Sequence, residues 1–208
     1  MAGPRPQDRP LSDADLDADP LTQFRRWLSE AVQHGAFEAE AMALATATPH
    51  GAPSARMVLM KGLDGGGISF FTNYESRKAA ELDTNPRAAL LFHWPELGRQ
   101  VRVEGSVERL PRERSLEYAR SRSRESRLSA LASPQSRPVE SREWLERGVS
   151  ELDRRHGGEL PVGDDWGGYR VLPAAWEFWQ HRPNRLHDRF RYEPDGRGGW
   201  RAPQRLGP

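Results

Sequence analysis

The chain has no cysteine among its 208 residues. That excludes disulfides, thiolate chemistry and cysteine-based zinc or iron–sulfur sites. It has no run of about 18 apolar residues, so no membrane-spanning helix is expected. Met1-Ala-Gly-Pro-Arg-Pro-Gln-Asp8 holds no apolar stretch of the kind that makes a secretory leader. The expected location is therefore cytoplasmic. Net charge is nearly absent too: 31 Lys and Arg against 30 Asp and Glu leave +1. So balanced a surface gives no global pull towards nucleic acid or anionic lipid. The six histidines, at 34, 50, 93, 156, 181 and 187, show no metal-ligand spacing, and no metal is expected. The Asp64-Gly-Gly-Gly67 run lacks both the GxGxxG spacing and a Gly-Lys-Ser/Thr ending, so it reads as a hairpin turn.

What is present is a central apolar block between polar ends. Residues 1–19 are rich in Pro, Asp and Ala and read as a flexible N-terminal arm. Residues 20–208 read as a single domain. Pro20 opens a helix to about His34, with Phe24, Trp27, Leu28 and Val32 on one stripe. Strands are expected over 42–48, 54–63, 68–72, 88–94 and 100–110, then 167–171, 175–179, 185–192 and 200–206. Helices are expected over 76–85, 111–121 and 141–156, whereas 122–137 gives no clear pattern. Tight turns between successive strands favour a mainly antiparallel sheet that closes into a barrel, with peripheral helices. A doubly wound parallel sheet would need regular strand–helix alternation, which is missing.

Four stretches carry candidate chemistry. In Asn184-Arg-Leu-His-Asp-Arg189, the residues Arg185, His187 and Arg189 recur at every second position. On an extended strand they share one face, with Leu186, Asp188 and Phe190 on the other. Two guanidiniums and an imidazole beside Trp179 suit either an anion site or a solvated face. Arg56-Met-Val-Leu-Met-Lys61 places a cation at each end of an apolar strand, which by itself reads first as two side chains snorkelling at strand ends and second as part of an anion site. Strict alternation sends the two to opposite faces unless the strand bends. Thr72-Asn-Tyr-Glu-Ser-Arg-Lys78 joins a strand to a helix start, where free N–H groups, a hydroxyl, Arg77 and Lys78 suit either a phosphate or an ordinary capped helix with exposed basic residues. Tyr118, Arg122 and Ser126 fall in an Arg/Ser-rich stretch that reads as a second phosphate pocket, an RNA contact or a solvated face.

Taken in order, Arg56–Lys61, Phe71-Thr-Asn, Ser76-Arg-Lys-Ala79, Asn85-Pro86, Arg99-Gln-Val-Arg-Val-Glu-Gly105, Pro134-Gln-Ser136, Trp166-Gly-Gly168, Glu177-Phe-Trp179 and Asn184–Arg189 resemble the pyridoxine/pyridoxamine 5′-phosphate oxidases. The resemblance runs from about Asp19 to Pro208. It implies an FMN-binding split β-barrel in a homodimer with two active sites at the interface. Arg56 and Lys78 would hold the FMN phosphate, with Thr72 and Arg77 beside them. Met57, Val58, Leu59, Met60, Lys61 and Phe71 would run along the flavin, and Gln100 would hydrogen-bond its ring. Gln135, Ser136, Trp179 and Arg189 would come from the partner subunit. Lys61, Tyr118, Arg122 and Ser126 would hold the substrate phosphate, with Arg185, Leu186 and His187 over its ring.

The implied reaction oxidises pyridoxamine or pyridoxine 5′-phosphate at C4′ to pyridoxal 5′-phosphate, with dioxygen as acceptor and hydrogen peroxide as product. The chain departs from the family in two places. It has no tyrosine before Tyr74, where members often carry Arg-x-x-Tyr in the arm, and Ser129 stands where Gly is common. A flavin oxidase of the phenazine-biosynthesis type shares the closing motif but lacks a lysine equivalent to Lys61, and ranks second. A non-catalytic flavin or pyridoxal-phosphate carrier and an RNA-binding barrel are the readings from other classes.

Overall fold

Alternating apolar residues in the central block build the sheet. The computed structural model describes residues 9–208. Its strands are β1 (Ala41–Ala47), β2 (Pro53–Leu59), β3 (Gly62–Asp64), β4 (Gly67–Asn73), β5 (Arg87–Trp94), β6 (Arg99–Arg109), β7 (Trp166–Gln180), β8 (Asp188–Tyr192) and β9 (Gln204–Leu206). They form one sheet in the order β2-β1-β5-β6-β7-β4-β3, with β8 and β9 branching from β7, and every named pairing is antiparallel. The two ends of that order are chain neighbours. The Lys61 N–H donates to Ser69 O at 2.8 Å, so the sheet curls back on itself.

The long β7 is the spine. One edge pairs with β6, while the other pairs first with β4 and then with β8. The sheet forks there, which splits the barrel. Sequence spacing predicts two strands in this stretch, and the structure has one. A register shift at Glu104/Gly105 sets Gly105 opposite Pro173, so the proline, which has no N–H to give, is passed without ending the ladder.

Inward positions alternate along the strands. Met42, Leu44, Leu90, Phe92, Val101, Val103, Trp176, Phe178, Phe190 and Tyr192 are all fully buried. Helix α1 (Pro20–Gln33) covers them. Asp19 caps it by accepting from the Leu21 and Thr22 N–H groups, and Pro20 pre-sets its first turn. Phe24 then packs at a tilt 4.8 Å from Phe92 and 5.4 Å from Trp176, and Trp27 meets Phe178 edge-on at 5.2 Å. Burying each such ring contributes roughly 2–3 kcal/mol. Ala31 takes the next core position, and Val32, expected on the buried stripe, is 58% exposed.

The remaining helices are α2 (Arg77–Thr84), α3 (Arg112–Ser121), α4 (Arg124–Ala132) and α5 (Arg142–Arg155). Helix α4 lies in the stretch without a clear sequence pattern. Three other expectations shift. The strand expected over 54–63 breaks after Leu59, because Met60 turns into the core. The strand expected from Arg185 starts at Asp188, and the one expected from Trp200 starts at Gln204. Residues 1–8 of the expected flexible arm lie outside the described residues. The rest is docked: Leu11 is buried, its N–H donates to Asp188 Oδ2, and Tyr192 donates to Asp17 O.

Candidate active site

The site begins at the junction of β4 and α2. Ser76 sits at the N-cap of α2, but its side chain makes no capping bond. Its hydroxyl instead accepts from Lys78 Nζ at 3.1 Å. The same ammonium donates to Thr72 Oγ1 at 2.9 Å and to Gln135 Oε1 at 2.8 Å, and Thr72 Oγ1 donates to Gln135 Oε1 at 3.0 Å. Lys78 is only 8% exposed, yet among the described residues these acceptors are all neutral. Burial, and then the nearby Arg56 guanidinium, pull its pKa down to about 8. A buried cation without a counter-charge is costly. The donor set of Lys78, Thr72 and Ser76, beside Arg56 and the first turn of α2, therefore fits a phosphate monoester.

That corner opens into a cavity of about 1060 Å³. Arg56, Met57, Val58, Leu59, Lys61, Phe71, Thr72, Lys78, Tyr118, Arg122, Ser126 and Gln135 all line it. The bend after Leu59 is what brings Arg56 and Lys61 to one cavity despite their spacing. Phe71, Tyr118 and Trp166 form a stack, with Phe71 4.1 Å from Tyr118 and 5.6 Å from Trp166. Arg122 lies over the Trp166 ring at 5.2 Å. Among the described residues, neither Lys61 nor Arg122 makes an ion pair or a side-chain hydrogen bond, so both stand ready for an anion. Helices α4 and α5 form the rest of the wall, through Ser129, Ala130, Leu145 and Val149 among others.

A second pocket, of about 300 Å³, lies elsewhere on the sheet and is lined by Leu91, Gln100, Arg102, Glu177, Trp179, Arg189 and Pro208. Gln100, Trp179 and Arg189 stand in one row across β6, β7 and β8, because Gln100 pairs with Trp179 and Trp179 with Arg189. Arg189 is held by Glu177 through Nε at 3.2 Å and Nη2 at 3.1 Å, and Arg102 donates to the same carboxylate at 2.8 Å. His187 packs 4.5 Å from Trp179. Its Nδ1 accepts from the Arg182 N–H at 3.1 Å, so the neutral ring carries its proton on Nε2. Burial lowers its pKa, with His181 and Arg185 adding to the effect.

The structure gathers the predicted residues into two groups that differ from those the resemblance implies. Gln135 joins the Arg56–Lys78 corner of its own chain, where a partner contribution was expected. Gln100 instead joins Trp179 and Arg189. Met60 is in the core, Arg77 is exposed on α2 with its Nε on Glu81, and Ser136 is exposed at φ 68°. The Arg185–His187–Arg189 alternation is also corrected. Pro183–Arg185 is a 3-10 turn, and Asn184 and Arg185 both take positive φ, at 59° and 62°. Arg185 and Leu186 are thus exposed on a turn, and only Arg189 is on the strand. Residues that sequence reasoning missed are Trp166 as the platform for Arg122, and Thr46, Ser54 and Glu81 around Arg56. The i, i+4 spacing of Arg77 and Glu81 was the one available signal.

Comparison with known proteins agrees across the chain. Residues 28–155 match the family described as pyridoxamine 5′-phosphate oxidase, and residues 166–208 match the pyridoxine 5′-phosphate oxidase C-terminal dimerisation region. The pyridoxine/pyridoxamine 5′-phosphate oxidase of Rubrobacter xylanophilus is 55% identical over 92% of this chain and 88% of its own length. That of Cupriavidus pinatubonensis is 52% identical over 95% and 93%. Among solved structures, PhzG from Burkholderia lata in complex with tetrahydrophenazine-1-carboxylic acid superposes with a TM-score of 0.90 at 34% identity, covering 97% of this chain and all of that one. A pyridoxamine 5′-phosphate oxidase-related, FMN-binding protein from Nostoc punctiforme, 18% identical with a TM-score of 0.72 over 89% of this chain and 97% of its own, shares the fold.

Proposed function

The chain belongs to the pyridoxamine 5′-phosphate oxidase family, and from that premise we propose that it is an FMN-dependent oxidase of phosphorylated B6 vitamers acting as a cytoplasmic homodimer. Pyridoxamine 5′-phosphate, water and dioxygen give pyridoxal 5′-phosphate, ammonia and hydrogen peroxide. Pyridoxine 5′-phosphate and dioxygen give pyridoxal 5′-phosphate and hydrogen peroxide. The observation that carries this reading is a single cavity lined by two cationic sets, Arg56 with Lys78 and Lys61 with Arg122. One phosphate belongs to the cofactor and the other to the substrate.

In this reading Arg56, Lys78 and Thr72 hold the FMN phosphate, Gln135 adds its carboxamide, and residues 57–59 of β2 with Phe71 flank the ring. Bound there, FMN would supply the two-electron redox chemistry that couples oxidation at C4′ to reduction of dioxygen. Lys61, Arg122, Tyr118 and Ser126 grip the substrate phosphate, which fixes the ring against the cofactor. Arg185 and His187 do not line the cavity of their own chain, and the dimer supplies them from the partner together with Trp179 and Arg189. Neutral His187 offers its Nε2–H to a substituent of the substrate ring, and Arg185 covers that ring from water.

The test is cofactor identity. Flavin released by heat from the purified protein should chromatograph as FMN. Release of FAD, or no flavin uptake after FMN is added, contradicts the reading. A second reading is an oxidase of reduced phenazines, favoured by the likeness to PhzG and its bound ligand. That ligand has a carboxylate and no phosphate, so it leaves the Lys61–Arg122 pair without its matching group. Parallel assays with pyridoxamine 5′-phosphate and a tetrahydrophenazine carboxylate separate the two.

A further inference from the structure

The two arginines beside Lys78 share one buried carboxylate. Glu81, on α2, is 4% exposed. Its Oε1 accepts from Arg77 Nε at 2.9 Å. Its Oε2 accepts from the Thr46 and Ser54 hydroxyls at 2.5 and 2.6 Å, and from Arg56 Nη2 at 3.4 Å. The two hydroxyls also face Arg56. Thr46 Oγ1 accepts from Nη1 at 2.5 Å, and Ser54 Oγ accepts from Nη2. The Leu44 carbonyl takes a further Nη1 bond at 3.1 Å. One carboxylate therefore closes a hydrogen-bonded ring through β1, β2 and α2 and fixes the Arg56 guanidinium on three sides.

The charge pattern fits an assembled anion site. Arg56 and Lys78 line the cavity, while Arg77, outside that lining, offsets the Glu81 carboxylate, so the corner keeps a formal +2, the complement of a phosphate monoester carrying about −2 at pH 7. Burial alone would push the Glu81 carboxyl up, but hydrogen bonds from Ser54, Thr46 and Arg77 outweigh it and hold it at about 2. The carboxylate is thus a fixed element at any working pH. An arginine held in place beforehand loses less rotamer freedom when its ligand arrives.

We propose that Glu81 is a positioning residue that holds Arg56 ready for the FMN phosphate, and so sets how much that phosphate adds to cofactor affinity. This rests on the reading of the cavity as an FMN site. The role differs from that of a charge near the ligand. A bare negative charge opposes phosphate, so its removal tightens binding, whereas loss of a positioning carboxylate weakens it.

The experiment titrates the flavin-free full-length protein with FMN and with riboflavin, following flavin fluorescence, and takes the ratio of the riboflavin dissociation constant to the FMN dissociation constant. Riboflavin lacks the phosphate, so a general structural defect lowers both affinities and leaves the ratio alone. In Glu81→Leu the ratio falls at least tenfold while riboflavin affinity changes little. Glu81→Gln keeps an acceptor oxygen and retains more of the ratio than Glu81→Leu. Thr46→Val removes one link, leaves the carboxylate in place, and lowers the ratio about threefold even if Glu81→Leu fails to fold. An unchanged or increased ratio in Glu81→Leu, or in Thr46→Val where the first variant does not fold, overturns the proposal. A wild-type ratio near one overturns instead the FMN reading beneath it.

Discussion

Lys78 Nζ donates to the side-chain carbonyl of Gln135 at 2.8 Å, across 57 residues of chain. The bond joins the start of α2 to the segment after α4. Among the described residues it leaves a buried ammonium facing neutral oxygens only, which is the physical signature of a site that expects an anion. Lys78→Met should therefore weaken FMN binding by at least tenfold, the loss of one charge-assisted bond of about 1.5–3 kcal/mol. Equilibrium titration of the flavin-free protein checks this.

The same lysine sets a pH dependence. Its pKa in the ligand-free fold is about 8, below the ordinary 10.5. FMN affinity should fall as pH rises past about 8, because the ammonium must then be re-protonated to meet the phosphate. Ligand-free stability should move the other way. Between about 8 and 10.5 the unfolded chain holds the extra proton, so this group's burial penalty is relieved as pH rises. Denaturant titrations of wild type and Lys78→Met across that window should show wild type gaining on the variant. A constant difference would mean that Lys78 is not desolvated.

Arg122 is presented to the cavity by the Trp166 ring, and its guanidinium makes no hydrogen bond among the described residues. Arg122→Leu should raise KM for pyridoxamine 5′-phosphate more than about tenfold, with flavin content unchanged. Equal activity on unphosphorylated pyridoxine would assign the patch another role.

Arg185 sits on the turn, His187 in the link that follows it and Arg189 on the strand, so their losses should differ. Arg185→Leu and His187→Ala should stay yellow and dimeric but lose at least about tenfold in kcat/KM, or roughly 1.4 kcal/mol. Arg189→Leu should lose flavin. Because burial and its cationic neighbours lower the His187 pKa, kcat/KM should hold through neutral pH and fall only on the acid side of the usual 6.5. Protonation there also costs fold stability, since the unfolded chain takes up the proton first as pH falls. Flavin content and pH–rate profiles of the three variants test the division.

Gly105 lies at the bulge that lets β6 follow β7 past Pro173. A Cβ there would meet the Leu172 carbonyl oxygen at 2.0 Å, and that atom is backbone. Gly105→Ala should therefore lower stability by about 1–3 kcal/mol, read by thermal melting.

The barrel was legible in the sequence because period-2 alternation in β1, β5 and β6 and the aromatic stripe of α1 are local signals. Val101 and Val103 point inward and Gln100 and Arg102 outward, as the pattern dictates. What stayed hidden depended on distant partners. The single β7 needs a bulge in β6 to exist, and the break after Leu59 follows from burial of Met60. The Asn184–Arg185 turn takes two left-handed residues, which no propensity favours at arginine. At the site, residues carrying unpaired charge were legible and their supports were not. Glu81 reads as one more exposed helix carboxylate until β1 and β2 fold over it.

The most direct test of the account is product formation by the FMN-loaded full-length protein in air, with pyridoxamine 5′-phosphate as substrate. Pyridoxal 5′-phosphate and hydrogen peroxide are measured together. Both should form in equal amounts, and pyridoxamine without its phosphate should be a far poorer substrate. Absence of pyridoxal 5′-phosphate from a protein that holds FMN, or turnover of a tetrahydrophenazine carboxylate in its place, would contradict it.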